Sequence, residues 1–474
     1  MNKEEKLLWK KIANFRFDDP TEDYGFAVKL SYENNWTIKF TEDAIIEYKK
    51  FMFLAAISNN IVSPSHIIDI VWHLHLTFSD SYQKFCNFLG KNIKHIPSTG
   101  KSSERKTLKN AVDFTSKQYE KYFDEKNELI WKVKSFEDVI QTNKTSSFLS
   151  KLSATDIILA GVLLFIPSIY LWKPILMKIP NPEFLYIAMG AFIVCMVLVD
   201  ILINASVKEA FKSLIEKNQY IKELKADEAF ILANNSLDSL VINKLNNLFE
   251  NDHLEVSEEN EKSLKLRKKE KTNDHYENVI LSYIEESPDD SLKVLLTEVT
   301  HKPLLKKLSN ISETIKNKVL KSKEVIEYKI TVSVIFFIIY SFLGARLVLG
   351  LSREKPVTYL VFLIIGILLV SYMYLKDIYT KKFRQKFLPV IDNYNLETDR
   401  YLLGDITNEQ VILATGLTAL MINNSLRQKE KKSYWSNTTD SWSTCSSCST
   451  HSCSSCSSCS SCSSCSSCGG CGGD

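Results

Sequence analysis

The chain carries two kinds of hydrophobic pattern. Along most of its length apolar residues recur every three or four positions, as in helices with one buried face. In four stretches they instead run on without a polar side: Thr155–Trp172 and on to Leu176, Phe184–Ala205, Ile330–Leu351 and Val357–Leu375. Each approaches the ~20 residues that a helix needs to cross a bilayer core of ~30 Å. A helix apolar all round has no water-facing side. The pattern predicts a mainly α, multi-pass membrane protein whose four spans form two hairpins, at 155–205 and 329–376.

Residues 1–135 predict a soluble helical domain, followed by a linker over 136–154. "FTEDAIIEYKKFMFLAAIS" takes Thr41 as N-cap and keeps Ala44, Ile45, Tyr48, Phe51 and Ala55 on one face. "SPSHIIDIVWHLHLTF" takes Ser63 as cap with Pro64 at the first helical position. "SDSYQKFCNFLGK" takes Ser79 as cap and Gly90 as stop. A longer helix over Ser103–Asp124 turns Val112, Tyr119, Tyr122 and Phe123 toward a core.

Residues 206–328 predict a second unit, with helical patterns at Ala226–Glu250, His275–Glu286 and Ser291–Thr300. Between the first two, "HLEVSEENEKSLKLRKK" alternates twice around a polar turn, as in a β-hairpin. Helices followed by a small hairpin suggest a winged-helix-like arrangement. The acidic turn (Glu258, Glu259, Glu261) does not suit phosphate, so nucleic acid is not favoured as a partner. After the fourth span, 377–432 holds an apolar run in "NEQVILATGLTALMINNSL" that is too short to span. Residues 433–474 are rich in Ser, Cys and Gly, with little to bury, and predict disorder.

Charge adds an orientation. The turns inside the hairpins carry only Lys173 and Lys178, and Arg353 and Lys355. The opposite ends carry Lys144, Lys151, Lys208, Lys212, Lys217, Lys318, Lys321, Lys323, Lys329, Lys376, Lys381, Lys382, Arg384 and Lys386. By the excess of Lys and Arg on the cytoplasmic side, the N-terminus, the middle region and the C-terminus face the cytoplasm of a bacterial inner membrane. "MNKEEKLLWKK" lacks the apolar core of a cleavable signal peptide. The formal net charge of +3 is small and gives no separate reason for a nucleic-acid partner. The partners implied are the lipid bilayer and an unspecified protein.

"EYKKFMFLAAISNNIVSPSHIIDIVWHLHLTFSDSYQKFCNFLGKNIKHIPSTG" resembles the N-terminal domain of bacterial membrane proteins described as glycine-rich domain-containing. The likeness rests on Tyr48, Lys49 and Phe51, Ser63-Pro64-Ser65, Asp69 with Trp72, His73 and His75, then Tyr82, then His95 and Pro97. The middle helices and "VILATGLTAL" resemble the same family, in which tails rich in Gly, Cys or Ser are common. The related sequences tend to place His-His or Asp-His before the proline, where this chain has Lys94-His95. The resemblance implies architecture and little chemistry.

Two clusters carry candidate chemistry. Four of the eight histidines, His66, His73, His75 and His95, fall between Ser63 and Pro97. Asp69 and His73 lie four apart and share a helix face, as do His66 and His73, seven apart. Asp69 could orient His73, or both could ligate a metal with His95 joining from the next loop. The structural alternative is an Asp–His hydrogen bond beside a buried Trp72. His75 points the other way, so "HLH" is not a chelate on a helix. Asp200 and Arg346 lie near span ends and are read as interfacial, although intramembrane charge is a functional candidate by default.

The second cluster is the tail, with nine of the eleven cysteines: Cys445, Cys448, Cys453, Cys456, Cys459, Cys462, Cys465, Cys468 and Cys471. Cys-x-x-Cys spacing presents thiolates to zinc or another soft metal. A reducing cytosol argues against disulfides. The competing readings are an idle low-complexity tail, and a tail modified by azole cyclisation or lipidation. No nucleophile elbow, phosphate loop or zincin motif is present. The favoured function is a membrane-anchored binding or scaffold protein. The alternatives are a metal-dependent enzyme centred on Asp69, His73 and His95, and a carrier of a modified peptide.

Overall fold

The computed structural model describes residues 1–18, 24–96, 104–143, 154–180, 182–234, 236–256 and 263–374, without the side chains of 154–159 and 162. The described chain is mainly helical. The N-terminal part comprises α1 (Lys3–Ala13), α2 (Phe26–Asn34), α3 (Ile38–Ile57), α4 (His66–Thr77), α5 (Ser79–Leu89), α6 (Glu104–Phe123) and the short α7 (Glu128–Trp131) and α8 (Phe136–Val139). Then follow α9 (Ala154–Leu176) and α10 (Glu183–Lys217). The middle region holds α11 (Gln219–Lys222), α12 (Ala226–Asn234), α13 (Leu237–Glu250), an antiparallel hairpin β1 (Leu254–Val256) and β2 (Leu264–Leu266), α14 (His275–Glu286), α15 (Leu292–His301) and α16 (Pro303–Leu320). α17 (Lys323–Leu351) and a last helix, α18 (Thr358–Tyr374), close the described region.

The helices start where tertiary contacts allow, and this moves three caps and one face from their expected places. α3 begins a turn before Thr41, because Asn35 takes a left-handed conformation (φ 54°) and Thr37 caps the Phe40 N–H. Thr41 lies inside the helix, its hydroxyl donating to the Thr37 carbonyl. α4 is capped by Ser65 rather than Ser63: the Ser65 hydroxyl accepts from the Ile68 N–H at 3.3 Å, and the backbone at Ser63 is instead tied to α6, its N–H donating to the Thr115 hydroxyl at 2.9 Å. Ser79 is helical instead of capping, because α4 and α5 abut through the single residue Phe78. Gly90 does end α5, at φ 69°. Val112 is exposed, since Ala111, Thr115 and Tyr119, one position out of phase, form the buried stripe of α6.

Two helices, α10 and α17, are long and apolar enough to cross a membrane. Only 28% and 33% of their most apolar windows are buried. That separates them from soluble core helices, which bury most of such a surface. The shorter apolar segments Leu163–Leu176 and Thr358–Tyr374 flank them. α17 packs against both α9 and α10. The Trp172 indole donates to Ser341 at 3.0 Å. Asp200 of α10 accepts from Asn204 at 2.9 Å and from the Tyr374 hydroxyl at 2.9 Å. Leu163, Tyr170, Ile193, Phe362 and Met373 stay largely exposed and form an apolar belt, the kind of surface that marks an interaction or membrane contact.

α10 and α17 continue past this belt into the remaining core. Phe211, Leu214 and Ile215 at the far end of α10 are buried. α16 packs on α2 and α12, tying the middle region to the N-terminal helices. Glu228 of α12, 2% exposed, accepts from the Ile38 N–H at 2.8 Å and the Lys225 N–H at 3.0 Å. It thereby satisfies a donor in the first turn of α3, which has no partner within its own helix.

Burial pushes the Glu228 carboxyl up from 4.5 to about 7, against the pull of its two backbone donors and of Lys307. A folded value above the unfolded one contributes stability below about pH 4.5 that is lost as pH rises through about 7. The swing is up to roughly 3 kcal/mol. Urea titrations of the detergent-solubilised protein between these pH values should show this decline, and Glu228→Gln should flatten it. A wild-type slope matching that of the variant would contradict the assignment.

Candidate functional site

Asp69 lies in the first turn of α4, His73 one turn later, and both project on the same side because residues four apart are stacked on a helix. The other side of α4 is apolar: Ile67, Ile68, Val71 and Leu74 are buried. His95 comes from the segment after α5 and returns to the same place. Its Nε2 lies 2.8 Å from Asp69 Oδ1, and His73 Nε2 lies 3.5 Å from Asp69 Oδ2. The two imidazole rings are 4.4 Å apart at 60°. One donor atom from each of the three residues falls within 4.8 Å of the others.

The segment that delivers His95 is held by a chain of hydrogen bonds. The Trp72 indole N–H donates to the Tyr82 hydroxyl at 3.2 Å, and that hydroxyl donates to the Ile93 carbonyl. Burial raises the Tyr82 phenol, so the donating form persists. Trp72, 6% exposed, sets its ring edge-on to His95 at 74° with centroids 4.6 Å apart. Lys91 reaches back to the carbonyls of Ala55 and Ser58 at the end of α3, where a cation is favoured.

The structure brings Asp69, His73 and His95 together. Asp69 makes its short contact with His95, whereas the helix spacing alone suggests His73. His66, exposed at the start of α4, is outside the group. His75 faces the opposite way, fully buried among Phe17, Phe26 and Phe85, and contacts the Tyr48 hydroxyl at 2.9 Å and Ser81 at 3.3 Å. Burial lowers its pKa to about 4, so it is a neutral core histidine at ordinary pH. The nine cysteines from Cys445 to Cys471, Pro97 and the acidic turn of the hairpin lie outside the described residues.

Sequence pattern does not announce Glu47. This carboxylate, 4% exposed in α3, accepts from the Trp131 indole at 2.7 Å, the Tyr119 hydroxyl at 2.9 Å and Lys50 at 2.8 Å. With every oxygen engaged it is a structural knot joining α3, α6 and α7. A polar residue on the apolar stripe of α3 is the one available sign of it.

Chemically, a carboxylate and two imidazoles within reach of one point suit a divalent first-row ion. Three protein ligands also leave coordination positions for water or another ligand, and His73 is more than half exposed. Tyr82→Phe removes the donor to Ile93 and the acceptor of Trp72 together. Amide hydrogen exchange across Ile93–Ile96 should then quicken, with a loss of about 1 kcal/mol in stability. Unchanged exchange there would show that the clamp does not hold His95. Protein-family models, curated proteins and solved structures provide no match to this chain.

Proposed function

We propose that the chain is a membrane-anchored binding protein that takes up one divalent transition ion on its cytosolic N-terminal domain, through Asp69, His73 and His95. The observation carrying this reading is the convergence of the three donor groups from two segments 26 residues apart. A lone Asp–His hydrogen bond does not need His73, which contributes little packing at 59% side-chain exposure.

The anchoring half of the proposal places four spans across the membrane as two hairpins, α9 with α10 and α17 with α18. The exposed apolar belt supports it, and so does the gathering of Lys and Arg at the ends opposite the hairpin turns. The soluble parts then face the cytoplasm. The middle region, with its hairpin between α13 and α14, is proposed as winged-helix-like and as a contact for protein. The Cys-x-x-Cys tail is proposed as a second, thiolate site for soft metal. The resemblance to the glycine-rich domain-containing membrane proteins is consistent with this architecture.

Zinc binding to the full-length protein, counted by native mass spectrometry in detergent, tests the reading. His73→Ala and His95→Ala should each lose one equivalent that the wild type holds, with at least tenfold weaker affinity at that site. Ions held by the tail should remain. Because imidazole and carboxylate ligate only when deprotonated, the triad's equivalent should also be lost on acidification. The same ion count in wild type and both variants would leave Asp69–His95 as a structural pair.

A further inference from the structure

Two ionisable side chains are buried where the middle region meets the N-terminal helices. Glu228 belongs to α12, in which every residue from Glu228 to Ala233 is buried. Lys307 belongs to α16, which packs on α2 and α12, and it shares a buried stripe with Leu304, Leu308 and Ile311. It is 6% exposed, and among the described residues it makes no hydrogen bond and no direct ion pair. The Glu228 oxygens are each held by one backbone N–H, Oε1 by Ile38 at 2.8 Å and Oε2 by Lys225 at 3.0 Å. Since Ile38 opens α3, a carboxyl of the middle region closes on the first turn of an N-terminal helix.

The charged and titratable groups around this joint come from each element packed there. Lys307 of α16 and Lys225 draw Glu228 toward its charged form, and the Tyr276 phenol of α14 lies within the field of Glu228. Asp18 and Glu42 of α3 act on Lys307 from the N-terminal side. Lys244 of α13 is engaged by Asp227 and Asp274. Burial disfavours the charged forms of both a carboxyl and an amine. It pushes Glu228 up to about 7 and Lys307 down from its ordinary value. A direct, well-formed pair would offset part of that cost, and the two held apart offset less.

We propose that this joint is a proton-operated latch: with Glu228 protonated, α12 and α16 close on the first turn of α3, and loss of that proton lets water between them while the rest of the chain stays folded. The sign follows from linkage. A carboxyl held above its ordinary value of 4.5 keeps the closed form favoured below that pH, and the advantage is lost as pH rises through about 7. Acidification therefore tightens the joint between the N-terminal helices and the middle region. The latch calls on neither the Asp69 triad nor the membrane-crossing helices.

Amide hydrogen exchange of the full-length protein in detergent, with chemical exchange rates corrected for pH, tests this. Between about pH 5 and about pH 8, protection in the first turn of α3, in α12 and in α16 should fall roughly tenfold or more. Protection in α4 and α5 should stay level. Glu228→Gln should remove the decline. Lys307→Met takes away a cation that favours the carboxylate, so the decline should continue to a higher pH than in the wild type. That second variant gives a readout that does not require the first to fold. Level protection at the joint in the wild type would overturn the proposal, as would the same decline in Glu228→Gln. An equal decline in every helix would overturn it too, because the pH dependence would then belong to the whole fold and not to a latch. A decline that ends at the same pH with and without Lys307 would remove that lysine from the device and contradict the assignment.

Discussion

The exposed apolar surface of α9, α10, α17 and α18 is the constraint on which the rest of the structure depends. Apolar area facing water costs about 25 cal/mol per Å², and two of these helices, α10 and α17, are long and apolar enough to cross a membrane. A lipid environment removes that cost and, because backbone groups find no partners there, also demands helices. The longest helix among the described residues, α10, has 35 residues and therefore runs about 50 Å. That exceeds the ~30 Å of a bilayer core, and the surplus carries Phe211, Leu214 and Ile215 into the adjoining core. The apolar belt and the adjoining core accordingly share a continuous helix.

The soluble part is held together by satisfied buried charge as well as by apolar packing. Glu47 joins three helices, and Glu228 joins the middle region to the start of α3. Lys244 pairs with Asp227 at 2.8 Å and Asp274 at 2.6 Å, connecting α13 with α12 and the start of α14. Such pairs add little net stability over apolar packing, but breaking one leaves an uncompensated charge. They fix which helix sits beside which. The frame around Asp69 and His73 is of the same kind. α4 is anchored by its apolar face and by Ser65, whose hydroxyl donates to the Ile130 carbonyl, so its polar face is presented at a fixed angle.

The helical periods and the unbroken apolar runs were legible in the sequence, because both follow from local geometry. The hairpin β1–β2 was legible for the same reason, as was the stop at Gly90. Cap positions were less so. Thr41, Ser63 and Ser79 satisfy the local rule, but the actual starts depend on Asn35, on Thr115 and on the tight junction at Phe78. Two of the triad's three residues were legible in the i, i+4 spacing of Asp69 and His73. The return of His95 was readable only as a proposal, since it depends on Trp72 and Tyr82 grasping Ile93 across ten residues and more. Glu47 shows in the sequence only as a polar residue on an apolar stripe and Glu228 not at all, because a buried carboxylate and an exposed one look alike in sequence.

Anomalous scattering from crystals of the zinc-loaded full-length protein tests the central claim most directly. The account predicts a peak beside α4 at ~2.0–2.2 Å from the Nε2 atoms of His73 and His95 and from an Asp69 oxygen. A map with no peak there at saturating zinc, and with His95 still hydrogen-bonded to Asp69, would contradict it.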